Sequence, residues 1–314
     1  MMWLQVFSLA CVAVSIIAII GKVLRYVSAP QHMRWELYPV PHEKGRAEYG
    51  GSYLEELDWW TKPRESDKFN ELKEMAEEII LLKGVFKHNR SVWASSFPFH
   101  FGMYLLIGWL VLLLGGAILQ QLDVSIGASA GAFGQIIHYL TGVTGYIGLF
   151  MTAFGALGLC IWRALDKRQR EFNAPIDFFN LILMAGMSIV VLIAFATQDP
   201  TFATLRLYVG ATITLSQATV PSTLAGVSIG LLSFTIMWVT ITRMSHFVAK
   251  YFLYHAVRWN DEPNERGSKI EQSLIALLNE KVTWSADHIQ TGKTWAEVVK
   301  EMKKLAVINL ESKI

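Results

Sequence analysis

Four side chains of this sequence could bind or exchange redox groups: the imidazoles of His100, His138 and His246 and the guanidinium of Arg243. His100 lies about one turn inside an apolar run, His246 closes another run, and His138 opens a third. Imidazoles from two helices can ligate the iron of a b-type haem, and an arginine can neutralise a haem propionate. A single imidazole can exchange a proton with a quinol. The sequence therefore offers a candidate haem site and a candidate quinone site.

Each assignment has a plainer alternative. His100 and His246, predicted at the same membrane depth, either ligate one haem iron or each hydrogen-bond a neighbouring carbonyl. His138 has no second histidine at its predicted depth, so it serves a quinone, ligates a second haem or rests at the lipid interface. His255 lies nine residues beyond His246, on the opposite face of a continuous helix, and is interpreted as an interfacial residue.

Glycines accompany these histidines along the apolar runs. Four of them would let helices approach a flat macrocycle closely: Gly102, Gly108, Gly226 and Gly230. Gly142 and Gly145 follow His138 at helical spacing and would leave room for a flat ring beside it.

The positioning elements follow from composition. Hydrophobic residues make up 53% of the 314 positions and charged residues 17%, a balance typical of membrane proteins. Charged residues crowd the segments between the apolar runs, which makes nucleic acid an improbable partner. Cys11 and Cys160 lie inside apolar runs and suggest neither a metal site nor a disulfide.

Five apolar runs are long enough to cross a hydrocarbon core of about 30 Å. The sequence therefore predicts an all-α integral membrane protein with a bundle of five transmembrane helices. The first run lacks a basic start and an A-x-A exit, so it is interpreted as a retained anchor. The predicted spans are Leu4–Leu24, Phe97–Leu119, Phe133–Trp162, Ile176–Ala196 and Val220–Met244.

The distribution of Lys and Arg predicts the orientation. With the N-terminus outside, the non-cytoplasmic segments are 1–3, 121–132 and 197–219, and they hold one of the 28 basic residues, Arg206. Cytoplasmic segments carry the excess of Lys and Arg in membrane proteins. The predicted topology is therefore N-out and C-in.

This topology divides the chain into four parts. They are transmembrane helix 1 (1–25), a cytoplasmic docking loop (26–95), transmembrane helices 2–5 (96–246, the last at 220–246) and a helical cytoplasmic tail (247–314). The tail is predicted to contain short helices at Ile270–Leu278 and Trp295–Ala306, and the loop a helix at Glu65–Lys87. The loop helix carries an apolar stripe, which docks another subunit or lies on the membrane surface. Its members are Phe69, Leu72, Met75, Ala76, Ile79, Ile80 and Leu82.

Several phrases of the sequence resemble one family of membrane cytochromes. PFHFG opens the second run and TRMSHF closes the fifth. With five spans and an outside N-terminus, they look like the gamma (cytochrome b) subunits of respiratory nitrate reductases. RWELYPVPHE in the loop and VTWSADHIQTGKTWAEV in the tail resemble the cytochrome b subunits of sulfate-reducer complexes of the Dsr and Tmc/Hme types. The resemblance covers essentially the whole chain.

The resemblance implies roles for single residues. His100 and His246 match the family's ligand pair for an inner haem b. The family's outer haem uses a histidine ten residues after the first and another eighteen residues before the second, where this chain has Leu110 and Ser228. Neither side chain replaces an imidazole, so the resemblance implies one haem and leaves a second without its usual ligands. His138 falls near a basic residue that is implicated in quinol binding in the nitrate reductase subunit.

Together these observations predict a cytochrome b subunit of a respiratory complex in a prokaryotic inner membrane. It would transfer electrons between a quinone, such as menaquinone, and a cytoplasmic iron–sulfur subunit. The resemblance implies that this partner is heterodisulfide-reductase-like and that the complex is a quinone (menaquinol) oxidoreductase. The alternative is a haem-free membrane anchor for a cytoplasmic redox enzyme. A transporter is disfavoured because the spans lack paired polar residues near the midplane.

Overall fold

The computed structural model describes residues 2–29, 43–45, 52–63, 65, 67–259, 262–286, 289 and 291–301. These residues are mainly helical, and isolated bridges pair Lys281 with Thr294 and Ala286 with Ile289. In chain order the helices are α1 (Met2–Val27), α2 (Lys68–Ile80), α3 (Lys83–His88), α4 (Arg90–Gln121), α5 (Ala132–Leu165), α6 (Lys167–Phe172), α7 (Pro175–Gln198), α8 (Ala203–Ile213), α9 (Thr223–Ile241), α10 (His246–Ala249), a π-helix (Lys250–Trp259) and α11 (Lys269–Asn279).

Five of the described helices, α1, α4, α5, α7 and α9, are long and apolar enough to cross a membrane, which confirms the predicted number of spans. The chain divides into two compact units. The first unit, residues 1–20 and 76–245, contains most of the five-helix bundle. The second unit, residues 21–75 and 246–314, contains the tail and the predicted loop up to residue 75. The two ends of the bundle are named here after the first and last residues of α4, the Arg90 end and the Gln121 end.

Helices α4 and α5 pack closely because glycines remove side chains from their contact. A Cβ atom at Gly102 would lie 2.5 Å from the Thr152 backbone nitrogen, and one at Gly148 would lie 3.1 Å from the Leu106 nitrogen. Farther along, the Trp109 indole lies against Gly145. These contacts set an antiparallel register.

Helix α1 faces the bundle with its polar side. Gln5 donates a hydrogen bond of 2.8 Å to the Ser216 carbonyl, and its side-chain oxygen accepts one from the Ala218 nitrogen. The Ser8 hydroxyl lies 3.0 Å from the Tyr208 hydroxyl and 2.9 Å from that of Ser233. Because buried polar groups need partners, these bonds tie the start of α1 to the Gln121 end of the bundle.

The last span is shorter than predicted. Helix α9 ends at Ile241, because Thr242 has an extended backbone, and a 3-10 turn follows at Arg243–Ser245 before α10 begins at His246. The Ser245 hydroxyl donates to the carbonyl oxygens of Thr240 and Thr242, which satisfies groups freed by the break. The predicted continuous span through residue 246 is therefore wrong.

The predicted loop helix is also two helices. It breaks between α2 and α3, where Leu82 has a positive φ of 52° and a buried side chain. The Trp93 indole donates 2.8 Å to the Leu81 carbonyl, and Lys83 pairs with Glu77 at 2.7 Å, so the break is bridged on both sides. Helix α4 then begins at Arg90, inside the predicted docking loop, with the Asn89 side chain accepting from the Val92 nitrogen.

The second unit contains the predicted tail helices in part. Helix α11 matches the predicted Ile270–Leu278, and residues 295–301 are helical, whereas residues 302–306 lie outside the described part of the chain. A small core forms from Val282, Ile289 and Val298 with Trp295 packed against it. On the π-helix, His255 Nε2 lies 2.7 Å from Glu71 Oε1.

We expect Gly102→Ala to lower the free energy of unfolding by about 1–3 kcal/mol, because the added methyl group would overlap α5. The matched control is Gly108→Ala on the same helix, where a Cβ atom meets nothing within 4 Å. Thermal unfolding of the two purified variants in detergent measures the difference. Equal midpoints would show that the α4–α5 contact tolerates a side chain.

Candidate functional site

His100 lies on α4 near the Arg90 end, partly buried. Its Nδ1 atom is 2.8 Å from the carbonyl oxygen of Ser96, one turn earlier. A carbonyl accepts hydrogen bonds only, so Nδ1 donates its proton to it, and the Ser96 hydroxyl also lies 3.3 Å from Nδ1. Histidines that ligate metals commonly donate their other ring N–H to a carbonyl in this way. This bond is the one that the plainer alternative predicts for His100, and it also leaves the ring in an orientation that a haem ligand would use.

Arg243 has a protein partner. One of its terminal nitrogens lies 3.2 Å from Asp177 Oδ1, and its side chain is 78% exposed. Asp177 also accepts from the Ala174 nitrogen and caps the start of α7. Arg243 thus holds the end of α9 to the start of α7, where the sequence analysis assigned it to a propionate.

His246 is the first residue of α10 and belongs to the second unit, and its side chain is exposed. Arg243 is the first residue of the 3-10 turn that precedes it, and the predicted common face of Arg243 and His246 stays a prediction. His255, which the sequence analysis assigned no ligand role, faces Glu71.

The glycines next to the predicted ligands serve helix packing. The Thr152 backbone occupies the space beside Gly102, and the Trp109 and Phe202 side chains occupy the space beside Gly145. Neither glycine therefore leaves room for a flat ring. Gly226 and Gly230 line an apolar groove between α9 and Trp3, Leu4 and Phe7 of α1, with a volume of about 540 Å³. Nothing lies within 4 Å of a Cβ atom at Gly108 or Gly142.

Packing residues occupy the two positions that the resemblance compares with outer-haem ligands, Leu110 and Ser228. Ser228 is fully buried and its hydroxyl donates 2.9 Å to the Leu224 carbonyl of its own helix. Leu110 packs against the bundle core. These residues do not fit a bis-histidine haem.

His138 lies on α5 at the Gln121 end, where the structure adds a feature that the sequence analysis missed. Residues 203–213, predicted as part of an outer connection, form helix α8, and its Arg206 side chain is 0% exposed. The Arg206 stem crosses Gly116 of α4, where a Cβ atom would lie 3.0 Å from Arg206 Cδ. The signal in the sequence was that Arg206 is the single basic residue of the outer segments.

Asp199 fixes helix α8 in place. Its two carboxylate oxygens accept four hydrogen bonds, two from the Ala203 and Thr204 backbone nitrogens and two from the Thr201 and Thr204 hydroxyls. A carboxylate at a helix start satisfies the free N–H groups and interacts well with the helix dipole. Burial lowers the pKa of the Arg206 guanidinium and is the larger influence, whereas the Asp199 charge raises it.

Aromatic rings surround the inner side of α8. The Phe202 ring packs against Trp109, Tyr146 and Phe195, with ring centroids 5.0 to 5.4 Å apart. The Tyr146 hydroxyl donates 2.9 Å to the Pro200 carbonyl, so this cluster also holds the α7–α8 connection. These aromatic side chains therefore fill the space between Gly145 of α5 and the start of α8.

His100 and His138 lie at opposite ends of the first unit. The α4–α5 register, continued from Gly102–Thr152 through Trp109–Gly145, places His138 opposite Gly116. At 1.5 Å per residue, Gly116 lies about 24 Å along α4 from His100.

Within the described residues, no group of three or more His, Cys, Asp or Glu side chains could hold a metal ion. Compared with family models, with curated proteins and with solved structures, the chain matches none.

Proposed function

We propose that the chain is the membrane cytochrome b subunit of a respiratory complex, exchanging electrons between a quinone and a cytoplasmic iron–sulfur subunit. The observation that carries the proposal is the His100 ring, whose Nδ1 donates to the Ser96 carbonyl as the second nitrogen of a metal-ligating histidine commonly does. The resemblance to the gamma subunits of nitrate reductases and to the sulfate-reducer cytochromes supports the same assignment. Bound haem b supplies one-electron transfer.

In this proposal, His100 and His246 hold the iron, each with one ring nitrogen. The Ser96 carbonyl orients the His100 ring and fixes its tautomer. The haem lies on the cytoplasmic side, because the predicted N-out orientation puts the Arg90 end inside. Arg243 holds α9 against Asp177 and reaches a propionate only if that ion pair opens.

At the other end, His138 takes part in quinone exchange. Its Nδ1 atom is buried without a hydrogen-bond partner among the described residues. A neutral imidazole can accept a proton from a quinol as a general base. The predicted orientation puts this step at the outer face.

The cytoplasmic partner docks on α2. Phe69 and Leu72 are 77% and 63% exposed, while Met75 and Ile79 of the same predicted stripe are half-buried. Exposed apolar side chains at helical spacing favour a helix-docking surface over a solvated one. We propose that a heterodisulfide-reductase-like iron–sulfur subunit covers them.

The second candidate is a haem-free anchor for a cytoplasmic redox enzyme. It is favoured by the ion pair between Arg243 and Asp177. This pair gives a structural role to Arg243, the residue proposed to neutralise a haem propionate. The visible spectrum of the purified protein separates the two functions, because only the cytochrome absorbs as a low-spin b-type haem.

His246→Ala and His100→Ala should each abolish or convert the low-spin b-type spectrum, because each removes one axial nitrogen. His255→Ala is the matched control, since His255 faces Glu71 and should leave the spectrum intact. An unchanged spectrum in His246→Ala would overturn the ligand assignment.

The double variant Phe69→Glu/Leu72→Glu should release the iron–sulfur subunit on purification and leave the haem spectrum intact, because it places charges on the apolar surface alone. The matched control is Leu57→Glu/Trp60→Glu, two exposed apolar residues of the same unit outside the stripe. If the complex survives the first double variant, the stripe lies on lipid instead.

His138→Ala should slow quinol-driven haem reduction, because it removes the proposed proton acceptor. Dithionite should still reduce the haem fully, with an unchanged spectrum. Stopped-flow absorbance measures both rates in the same preparation. Normal quinol kinetics in this variant would show that His138 is a residue of the lipid interface. Loss of a haem would show that His138 is a haem ligand.

A further inference from the structure

Two aromatic side chains of α4 hold the end of α2. The Tyr104 hydroxyl donates 2.9 Å to the Ile79 carbonyl, and the Trp93 indole donates 2.8 Å to the Leu81 carbonyl. All four residues belong to the first unit. The last carbonyl groups of a helix have no partner within that helix, and in the absence of water another donor must satisfy them. These two bonds therefore suit a helix end that lies away from bulk water.

The positions of the two donors along α4 give the level of this helix end. Trp93 lies one turn before Phe97, where the predicted apolar span begins, and Tyr104 lies about 10 Å beyond Phe97. Side chains of a helix point toward its N-terminus, so the Tyr104 hydroxyl reaches back toward the Arg90 end. Trp and Tyr are enriched where the hydrocarbon of a membrane meets water. The end of α2 therefore lies at the level where α4 enters the apolar layer.

The surface at this level is apolar. Ile80, Leu81 and Phe86 are 42%, 49% and 39% exposed. A file of four aromatic rings continues from this surface along α4, with successive ring centroids 5.0, 4.9 and 5.5 Å apart. The rings are those of Phe86, Trp93, Phe97 and Phe101. The exposed surface is therefore continuous with the side of a membrane span.

Two cations lie at the edge of this surface. Lys87 and Arg90 are exposed, and the Arg90 guanidinium carbon lies 4.7 Å from the centroid of the Phe86 ring. Among the described residues, neither cation forms an ion pair with a carboxylate. Lys83 of the same short helix differs, because it pairs with Glu77 at 2.7 Å. Lys87 and Arg90 are therefore available to an anion from outside the chain.

The combination of these features favours lipid as the occupant. Apolar side chains next to aromatic rings and cations are typical of segments that lie in the plane of a membrane interface. A soluble subunit would have to enter the apolar layer to cover a surface at the level between Trp93 and Tyr104. Lys and Arg beside a bilayer attract anionic phospholipids, whose phosphate oxygens accept hydrogen bonds from both groups. In the predicted orientation the Arg90 end faces the cytoplasmic leaflet, where anionic lipids make the surface potential negative.

We propose that residues 79–90, named here the interface segment, lie in the membrane interface and bind an anionic phospholipid. The apolar side chains of the segment lie among acyl chains, and Lys87 and Arg90 bind the lipid phosphate. This inference goes beyond the proposed electron transfer and needs neither haem nor quinone. It also leaves Phe69 and Leu72, the residues assigned to the docking of the iron–sulfur subunit, outside the interface segment.

A nitroxide spin label tests where the interface segment lies. The label is attached to Leu81→Cys in a full-length variant without native thiols (Cys11→Ala and Cys160→Ala), reconstituted in nanodiscs of phosphatidylglycerol and phosphatidylcholine. Oxygen concentrates in hydrocarbon and a nickel chelate stays in water, so collisions with oxygen should dominate. A reference label at Val111→Cys, a 62% exposed position farther along α4, should show a larger oxygen preference. Dominant collisions with the chelate, or protection from both reagents, would overturn the proposal in favour of water or of a protein cover.

Native mass spectrometry of the full-length protein tests the phosphate site. Lys87→Gln/Arg90→Gln should weaken binding of the first added phosphatidylglycerol by about 5- to 30-fold, because each cation beside an anionic lipid contributes roughly fivefold. Binding of phosphatidylcholine, which has no net charge, should not change. The matched control is Arg266→Gln/Lys269→Gln, which removes the same two charges from exposed residues of the second unit and should behave as wild type.

The other outcomes of this measurement overturn the phosphate site. An unchanged affinity for phosphatidylglycerol in Lys87→Gln/Arg90→Gln would exclude it, and an equal loss in both double variants would assign the effect to overall charge. If the first double variant folds poorly, Lys87→Arg/Arg90→Lys keeps both charges and should retain the affinity of the wild type. Loss of affinity in that conservative variant would also contradict the proposal. None of these measurements depends on haem, so a failure of the cytochrome assignment would leave them unchanged.

Discussion

The arrangement of the bundle depends on the close contact of α4 with α5. Gly102 and Gly148 let the two backbones meet, and any side chain at these positions would force the helices apart. A contact that close also fixes the register, because each glycine fits only the residue that now faces it. The register then determines what shares a level in the bundle: His100 at the Arg90 end, and Gly116 with His138 at the Gln121 end. The proposed sites are therefore consequences of one packed interface.

Several hydrogen bonds between different elements assemble the Gln121 end of the bundle. Gln5 and Ser8 of α1 bond to the connection after α8 and to Tyr208. Asp199 holds the start of α8, and Tyr146 bonds to the Pro200 carbonyl. In a lipid environment these bonds have little competition from water, so they can fix α8 where a purely apolar contact would let it slide. Arg206 is placed by this arrangement.

The spans could be predicted from the sequence because hydrophobicity over some twenty residues is a local property. The helix breaks could not. The apolar run continues past Ile241 to Met244, and nothing in its hydrophobicity marks the extended backbone at Thr242. At Leu82 a positive φ, unusual for a leucine, is maintained because it buries the side chain, which depends on residues packed from elsewhere.

The residues of the candidate sites could be predicted from the sequence only in part, as the helices could. His100 and His138 stand out because ionisable residues are rare in apolar runs. The ion pair between Arg243 and Asp177 joins residues far apart in sequence, so no local sequence pattern predicts it. Arg206 was visible as the exception to the charge asymmetry, but its burial follows from α8, an eleven-residue helix too short to register as a span.

The hydrogen bonds of Asp199 explain why this carboxylate does not form an ion pair with the buried Arg206. A carboxylate near a buried arginine would ordinarily form an ion pair and remove the need for any other anion or oxygen. Here both oxygens of Asp199 are engaged by the first turn of α8 and by the Thr201 and Thr204 hydroxyls. The carboxylate thus fixes the helix that carries the arginine and still raises the pKa of the guanidinium from a distance. Its field helps to keep Arg206 charged, while its hydrogen-bonding capacity is used elsewhere.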